Sequence, residues 1–240
     1  MEPGHLKALY DNPGPFASVY LVTERADPEA GRAIDLRWRK LRGRLAADGA
    51  DEPTLQAIDA AVGSDRGQPS PHGQAIFAAD GAVLLQEELR APTVPERATF
   101  GPLPDVLPAQ AAAAQQEESA QQEESQRAAV LDRYADRLAT GGAVEGLIPT
   151  VEALRRGDVD TLLIRHGSKT LDAWMWWGPE PGQVAAHPEE LLDLRSAQIR
   201  RDKAGNVLVR AAVQNGSRLL VLSGAEPGPA NGVGAVLRHT

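Results

Sequence analysis

A polar, repetitive segment at residues 109–126 divides the chain and constrains its fold more than any other feature. It consists almost entirely of Ala, Gln, Glu and Ser, and the unit Gln-Gln-Glu-Glu-Ser occurs twice, at 115–119 and 121–125. Ala, Gln and Glu favour helix, but the segment has no apolar stripe that a core could bury. We therefore predict a solvated linker, helical or disordered, between an N-terminal domain at 1–108 and a C-terminal domain at 127–240.

Composition excludes several classes of protein. The chain has 240 residues, a net charge of −8 and no cysteine, which excludes disulfides, thiolate metal sites and a cysteine nucleophile. No apolar run approaches the ~18–20 residues that cross a bilayer, and the first residues lack the basic start of a secretory leader. We expect a soluble, cytoplasmic protein. Its acidic balance argues against a general nucleic-acid coat.

The N-terminal domain shows the pattern of two helices and three strands. A β-rich run at 16–23 follows a Pro/Gly turn cluster and predicts the first strand. Two amphipathic helices are predicted at 27–47 and 52–62, and the apolar stripe of the first consists of Ile34, Trp38, Leu41 and Leu45. Asp80-Gly81 between two apolar runs predicts a hairpin, because both central residues of such a turn need a positive φ. The order is β-α-α-β-β, followed by a proline-rich exit.

The C-terminal domain alternates helix and strand. Apolar patterns predict helices at 144–156, 189–194 and 207–214 and strands at 158–165, 173–177, 218–222 and 234–238. Such an alternation favours a sandwich around a mostly parallel sheet. The predicted fold class is α/β, with an α+β N-terminal domain and an α/β sandwich as the C-terminal domain.

Residues that carry common enzyme chemistry are not arranged for it. The five histidines lie far apart, and neither a phosphate loop nor a nucleophile elbow occurs. The glycine-rich stretch at 228–234 lies between two predicted strands, without the helix N-terminus that binds phosphate. Asp158 and Asp160 form the one candidate carboxylate pair, although such residues more often cap a strand. We predict no catalytic residue, no metal and no cofactor, and RNA hydrolysis is the least supported activity.

The predicted helix at 27–47 concentrates positive charge in a chain of net charge −8. One interpretation is a solvated face whose cations suit a helix C-terminus. The other is a surface that contacts RNA phosphates and so fixes position without reading sequence. For the second interpretation the candidate residues are Arg37, Arg39, Lys40, Arg42 and Arg44. If about five phosphates are neutralised, binding weakens by about 100- to 1,000-fold between 50 and 200 mM salt.

Three tryptophans cluster in the predicted strand at 173–177. Strand alternation sends Trp174 and Trp176 to one face and Trp177 to the other. One face belongs in the core and the other at the surface. We select Trp177 as the candidate partner-binding residue.

Five short motifs, divided between the two predicted domains, follow one another in a characteristic order. They are Ala-Ser-Val-Tyr-Leu at 17–21, Leu-Arg-Trp-Arg-Lys-Leu-Arg at 36–42, Gly-Pro-Leu-Pro at 101–104, Ala-Val-Glu-Gly-Leu at 143–147 and Gly-Val-Gly-Ala-Val-Leu-Arg at 232–238. In addition, the helix-to-strand passage at 151–164 is similar to the C-terminal domain of archaeal and eukaryotic class-I peptide-chain release factors. As a set, the motifs resemble the bacterial release-factor-like family that is common in actinobacteria.

The resemblance implies a ribosome-associated protein that docks like a tRNA-shaped factor, and some members of this family are implicated in ribosome hibernation. It also implies that the C-terminal domain shares the fold of kink-turn-binding ribosomal proteins. Ribosomal RNA is then the expected partner and a translational GTPase a further candidate, whereas no membrane or DNA partner is expected.

Two departures from the family pattern concern peptide release. Where the family carries a central domain, which in true release factors holds a Gly-Gly-Gln loop, this chain has only residues 109–126. Its Gly141-Gly142 is followed by Ala143, and no Asn-Ile-Lys-Ser stop-codon motif occurs. We therefore predict a non-catalytic, ribosome-associated factor without peptide-release activity. The alternative is a protein-interaction scaffold that has lost ribosome binding.

Overall fold

The computed structural model describes residues 4–23, 30–62, 73–89, 94–117, 121–193, 196, 198–224 and 226–238. Its contacts divide the chain into two units. The N-terminal unit is Asp11–Ala113, and the C-terminal unit is Met1–Tyr10 together with Ala114–Thr240. The first helix, α1 (Gly4–Tyr10), thus belongs to the C-terminal unit and not to the N-terminal domain predicted at 1–108.

The N-terminal unit is an antiparallel sheet with helices on one face. Its elements are β1 (Phe16–Leu21), α2 (Ala30–Ala47), α3 (Glu52–Ala61), β2 (Gly73–Ala79), β3 (Ala82–Leu89) and β4 (Arg97–Gly101). The strand order is β3-β2-β1-β4. Ala17, Val19 and Leu21 of β1 share a buried cluster with apolar residues of both α2 and α3. Because side chains alternate along a strand, both helices therefore cover the same face of the sheet.

Local signals placed most of these elements correctly. The side chain of Asp51 accepts a hydrogen bond from the backbone N–H of Thr54 at 2.7 Å, which caps α3. Asp80 and Gly81 have φ values of 50° and 74°, as the predicted hairpin requires.

The fourth strand, β4, is a correction to the predicted proline-rich exit. It pairs with β1 from Phe16↔Gly101 to Tyr20↔Arg97. The strand has only five residues and lies between Pro95 and Pro102. Proline is typical of loops and of the ends of edge strands, so the composition of this stretch concealed a strand at the edge of the sheet.

The predicted linker at 109–126 is helical where it is described. It falls in α4 (Leu107–Glu117) and the start of α5 (Gln121–Thr140), and residues 118–120 lie outside the described ranges. Its beginning is not solvated, because Ala109 and Ala112 are buried and the backbone N–H of Ala109 donates to the Tyr20 hydroxyl at 3.3 Å. Small alanines provide the close approach, so the N-terminal unit extends past residue 108.

The C-terminal unit contains two sheets. Its remaining elements are β5 (Ala143–Glu145), α6 (Leu147–Arg156), β6 (Val159–Arg165), β7 (Trp174–Trp177), β8 (Val184–Ala185), α7 (Pro188–Asp193), β9 (Arg200–Lys203), α8 (Ala204–Gln214), β10 (Arg218–Leu222) and β11 (Val233–Leu237). One sheet has the order β10-β6-β11-β5 and the other β8-β7-β9. Helix α1 packs on α8 and buries Leu6 and Leu9.

The larger sheet is mixed, which corrects the prediction of a mostly parallel one. Among its described strands, only β10 and β6 pair in parallel, and α8 lies between them in the sequence. Strand β11 is antiparallel to both β6 and β5. A parallel neighbour needs a crossover, but the described residues between β10 and β11 form no helix, so the chain returns in the opposite direction.

Both faces of this sheet are covered. Tyr134 of α5 shares a buried cluster with Leu163 and Leu222. Leu162 and Ile164 alternate with Leu163 along β6 and are also buried, and α6 and α8 contact the same sheet. The described elements thus form a mixed α/β chain of two units, which confirms the predicted fold class. None of the helices within these ranges has the length and apolar character needed to span a bilayer.

Candidate nucleic-acid interface

Helix α2 is held against the sheet by its apolar stripe. Ile34, Trp38, Leu41 and Leu45 are all buried, as the spacing predicts. The indole Nε1 of Trp38 donates to Asp59 Oδ1 at 2.6 Å, which ties α2 to α3. The predicted start of the helix at residue 27 lies outside the described residues. Burial of one side of α2 leaves its polar side facing solvent.

Two of the five predicted phosphate-binding residues already have carboxylate partners. Arg42 donates through Nη2 to Glu52 Oε1 at 2.6 Å and through Nε to Asp59 at 3.2 Å. These hydrogen bonds, that to Glu52 first, raise the pKa of the Arg42 guanidinium. Arg37 donates to the carbonyl oxygen of Val22 at 3.3 Å and lies 3.4 Å from a carboxylate oxygen of Glu96. Neither residue is a free cation.

The other three residues form an exposed cationic surface, which we call the α2 cationic face: Arg39, Lys40 and Arg44. Lys40 and Arg44 are four residues apart and so are neighbours on the helix surface, whereas Arg39 projects about 100° around the helix from Lys40. None of the three forms an ion pair with another residue of the described ranges, although Asp48 follows Arg44 by four residues. The described part of α2 has six basic residues and one acidic residue, Asp35, hence a charge of +5.

The surroundings of this face leave it accessible. A Cβ atom added to Gly43 would meet no atom within 4 Å, so the backbone between Lys40 and Arg44 is open to solvent. Leu36, one turn before Lys40, is 62% exposed. Arginine presents a planar fork of donors that matches phosphate oxygens, and lysine presents a point charge. A rigid helix with these three cations can therefore contact a polyanion without rearrangement.

The tryptophan prediction requires a correction. Trp174 and Trp176 do share one face of β7 and Trp177 takes the other, but it is the Trp177 side chain that is buried, at 6% exposure. Its ring lies under the Arg210 guanidinium, 4.3 Å from Cζ to the ring centroid, and β7 contacts α8. Trp177 therefore packs inside the unit, and Trp174, at 51% exposure, is the ring that solvent reaches.

The candidate carboxylates are engaged in ion pairs. Asp160 accepts hydrogen bonds from Arg133 at 2.8 Å and from Arg218 at 2.7 Å, and Asp158 accepts one from Arg156 at 2.6 Å. Burial alone would raise the pKa of Asp160, but the hydrogen bonds from Arg218 and Thr161 outweigh it and the pKa is lowered. These contacts join α5, β6 and β10. Within the described ranges no group of three or more His, Asp or Glu residues is placed to hold a metal ion.

The two glycine motifs have structural explanations. Gly141, with φ of 81°, ends α5, and the N–H of Gly142 donates to the carbonyl of Arg137 at 2.9 Å. Gly234 lies in β11, where an added Cβ would come within 3.0 Å of the Tyr134 hydroxyl, Pro229 and the Val144 carbonyl. Close packing thus accounts for Gly234, and backbone conformation accounts for Gly141.

Comparison with known proteins gives only distant similarity. No family model matches the chain, and no curated protein is detectably similar to it in sequence. Among solved structures, an archaeal translation termination factor is similar at 10% identity and a TM-score of 0.30, covering 100% of this chain and 99% of that one. A structure described as an archaeal protein is similar at 11% identity and a TM-score of 0.31, with the same coverage. Similarity this weak carries no argument about function, and membership of the bacterial release-factor-like family stays a prediction.

Proposed function

We propose that this protein is a ribosome-associated factor that binds the phosphates of ribosomal RNA through the α2 cationic face and has no catalytic activity of its own. The observation that carries the proposal is the exposure of Arg39, Lys40 and Arg44 without a carboxylate partner among the described residues. In a chain of net charge −8, a local surface of this kind attracts phosphate while the rest of the molecule repels it.

From the contacts around α2, we assign different roles to the five predicted residues. Arg39, Lys40 and Arg44 are the phosphate ligands, whereas Arg42 ties α2 to α3 and Arg37 ties it to the end of β1. Phosphate contacts position a protein on RNA and carry no sequence information. The protein therefore recognises the fold of the RNA rather than its base sequence.

Salt dependence of ribosome binding tests the proposal quantitatively. Three phosphates, rather than five, are neutralised, so affinity for purified ribosomes should fall by about 20- to 40-fold between 50 and 200 mM salt. The measurement is co-sedimentation across this range. The triple variant R39E/K40E/R44E should lose binding at every salt concentration. Binding by that variant at wild-type affinity would overturn the proposal.

A matched pair of substitutions controls for net charge. Lys40→Glu and Lys7→Glu change the charge of the chain equally, but Lys7 is exposed on α1 in the C-terminal unit. We expect Lys40→Glu to weaken ribosome binding and Lys7→Glu to leave it unchanged. Equal losses would mean that overall charge, and not the α2 cationic face, governs association.

The alternative is a protein-interaction scaffold, and the exposure of Leu36 is the observation that favours it. An exposed leucine beside the cationic residues would suit a protein partner, and binding of that kind depends little on salt. This scaffold has lost ribosome binding, so the absence of co-sedimentation with ribosomes at 50 mM salt would support it over the RNA phosphate site.

The motif resemblance supports a more specific role in ribosome hibernation, in the cytoplasm, with contacts between the C-terminal unit and a translational GTPase. The absence of a Gly-Gly-Gln sequence from the chain supports a role without peptide release. Ribosome fractions from growing and starved cells, probed for this protein, test the role. Enrichment on ribosomes in starvation is expected, and an even distribution in both conditions would argue against hibernation.

A further inference from the structure

The small sheet of the C-terminal unit carries a second aromatic and cationic surface. Trp174 of β7 pairs with Lys203 of β9, and Trp176 pairs with Arg201. Paired residues of antiparallel strands project from the same face, and alternate residues of one strand share it too. These four side chains therefore lie together, and we call this surface the Trp174 face.

The two sides of the sheet differ sharply in exposure. Met175 and Trp177, on the opposite side, are buried, whereas Trp174 is 51% exposed and Arg201 is also exposed. Exposure of half a tryptophan ring has a cost in water, because an aromatic side chain of this size gains free energy from burial. The sheet therefore presents a flat apolar ring to solvent, whereas Trp177 of the same strand is buried.

Two cations lie over the exposed ring. The Cζ atom of Arg201 lies 5.0 Å and the Nζ atom of Lys203 lies 4.6 Å from the centroid of the Trp174 ring. Nζ of Lys203 also donates to the backbone carbonyl of Asp172 at 2.8 Å. A ring and a carbonyl hold a cation without neutralising it. Neither cation forms an ion pair with another residue of the described ranges.

Nearby carboxylates do not cancel this charge. Asp202 lies between Arg201 and Lys203 along β9 but faces the other side of the sheet, where it is buried and accepts a hydrogen bond from Asn206 of α8 at 3.1 Å. Asp172 is exposed next to Trp174 and contributes its backbone carbonyl to Lys203. The Trp174 face thus keeps two cations beside one acidic neighbour.

We propose that the Trp174 face binds single-stranded RNA, with Arg201 and Lys203 turning from the Trp174 ring to the phosphates so that an unpaired base stacks on the ring in their place. An aromatic ring on an exposed sheet, flanked by cations, is the arrangement that stacks unpaired bases and follows the backbone. A duplex hides the faces of its bases, and an acidic peptide would use the cations but not the ring. The ring therefore favours an unpaired strand over a duplex or an acidic peptide. This site is independent of the α2 cationic face, which lies in the other unit.

The test measures binding of the full chain to a fluorescent oligoadenylate of about eight nucleotides by anisotropy. Trp174→Ala should weaken binding by about 5- to 140-fold, because base stacking on one aromatic side chain contributes that much. Trp174→Phe keeps a ring and should retain most of the affinity. Arg201→Gln and Lys203→Gln should each lower the slope of log affinity against log salt by about 0.7, the value for one phosphate of a single strand.

Controls separate this site from general effects. Leu192→Ala removes another exposed apolar side chain of the same unit, 64% exposed on α7, and should leave binding unchanged. The R39E/K40E/R44E variant should bind the oligonucleotide like the wild type. Loss of ribosome binding in that variant, with oligonucleotide binding kept, would support both proposals. Ribosome binding tests the α2 cationic face and oligonucleotide binding tests the Trp174 face, so either proposal can fail without the other.

Three outcomes would overturn the proposal. In the first, Trp174→Ala binds the oligoadenylate as tightly as the wild type does. In the second, a duplex of the same length binds as tightly as the single strand. In the third, polyglutamate competes with the RNA, and Trp174→Ala weakens the binding of polyglutamate as much as that of the RNA. The last result would assign the surface to an acidic protein instead. Thermal unfolding of each variant checks that the fold is kept, and Trp174→Phe decides the outcome if Trp174→Ala lowers stability.

Discussion

At the scale of single residues, the contacts of each cation decide its role. Arg42 and Lys40 are two residues apart on α2, yet Arg42 bonds to two carboxylates of the α3 region and Lys40 to none in the described part of the chain. An arginine already paired with carboxylates gains little from a phosphate, because it must first give up those bonds. Residue type and spacing alone do not reveal this difference.

A pair of neutralising substitutions should show opposite effects at these two positions. Arg42→Gln should lower the free energy of unfolding by about 1 kcal/mol, since it breaks two partly exposed ion pairs, and should change ribosome affinity less than twofold. Lys40→Gln should leave stability within about 0.5 kcal/mol and weaken ribosome binding several-fold. Urea unfolding and co-sedimentation measure the two quantities. A loss of affinity in Arg42→Gln as large as in Lys40→Gln would contradict the assigned roles.

At the scale of elements, a partly buried ion pair joins α5 to the loop after β10. Arg127 donates to Glu226 through Nε at 2.5 Å and Nη2 at 2.8 Å, and Nη2 also donates to the Val221 carbonyl at 2.6 Å. Glu226 accepts further bonds from the N–H and hydroxyl of Ser223. Burial of the Glu226 carboxyl opposes ionisation, but these donors outweigh it and lower its pKa to about 2.

This lowered pKa makes the stability of the C-terminal unit depend on pH. A carboxyl with a lower pKa in the folded state stabilises that state above its unfolded value of about 4.5, and the contribution disappears as the pH falls toward about 2. Allowing for solvent screening, the contribution is on the order of 1–2 kcal/mol. Between pH 7 and pH 3 the wild type should therefore lose more stability than Glu226→Gln. Denaturant unfolding at both pH values measures it, with Glu189→Gln, exposed on α7, as the control that should follow the wild type.

At the scale of the whole molecule, the chain does not divide where its composition changes. Residues 1–10 belong to the C-terminal unit, because Leu6 and Leu9 of α1 are buried where α1 packs on α8. The C-terminal unit is thus built from both ends of the sequence, and the N-terminal unit is one continuous segment between them. Stability of the C-terminal unit therefore depends on residues that precede the N-terminal unit.

Truncation of one α1 side chain should lower the stability of the C-terminal unit. Leu9 is 1% exposed, so Leu9→Ala should lower the stability of the C-terminal unit by about 2–5 kcal/mol through lost burial and the cavity left behind. Hydrogen exchange should speed up in α8 and remain unchanged in β1 and β2. Leu36→Ala, at an exposed site on α2, is the matched control and should leave both units unchanged. Faster exchange in the N-terminal unit and not in α8 would contradict this division.

The correct predictions from sequence share a physical origin, which is that their signals are local. The stripe from Ile34 to Leu45 follows the helical period, and the hairpin at Asp80-Gly81 depends on the backbone preferences of two adjacent residues. The candidate site was predicted in part for the same reason. The periodicity of α2 correctly placed Arg39, Lys40 and Arg44 at the surface.

The remaining predictions failed where distant residues meet. The carboxylates that engage Arg42 lie 10 and 17 residues away, β4 is a strand because it pairs with β1, and Trp177 is buried because α8 covers its side of β7. Sequence by itself determined helical and strand periodicity, turns and the sign of charge on each segment, since these depend on neighbouring residues. Tertiary structure alone decided which cations are free, which face of a strand is inside and which unit holds α1, because each of these depends on contacts between residues far apart in the chain.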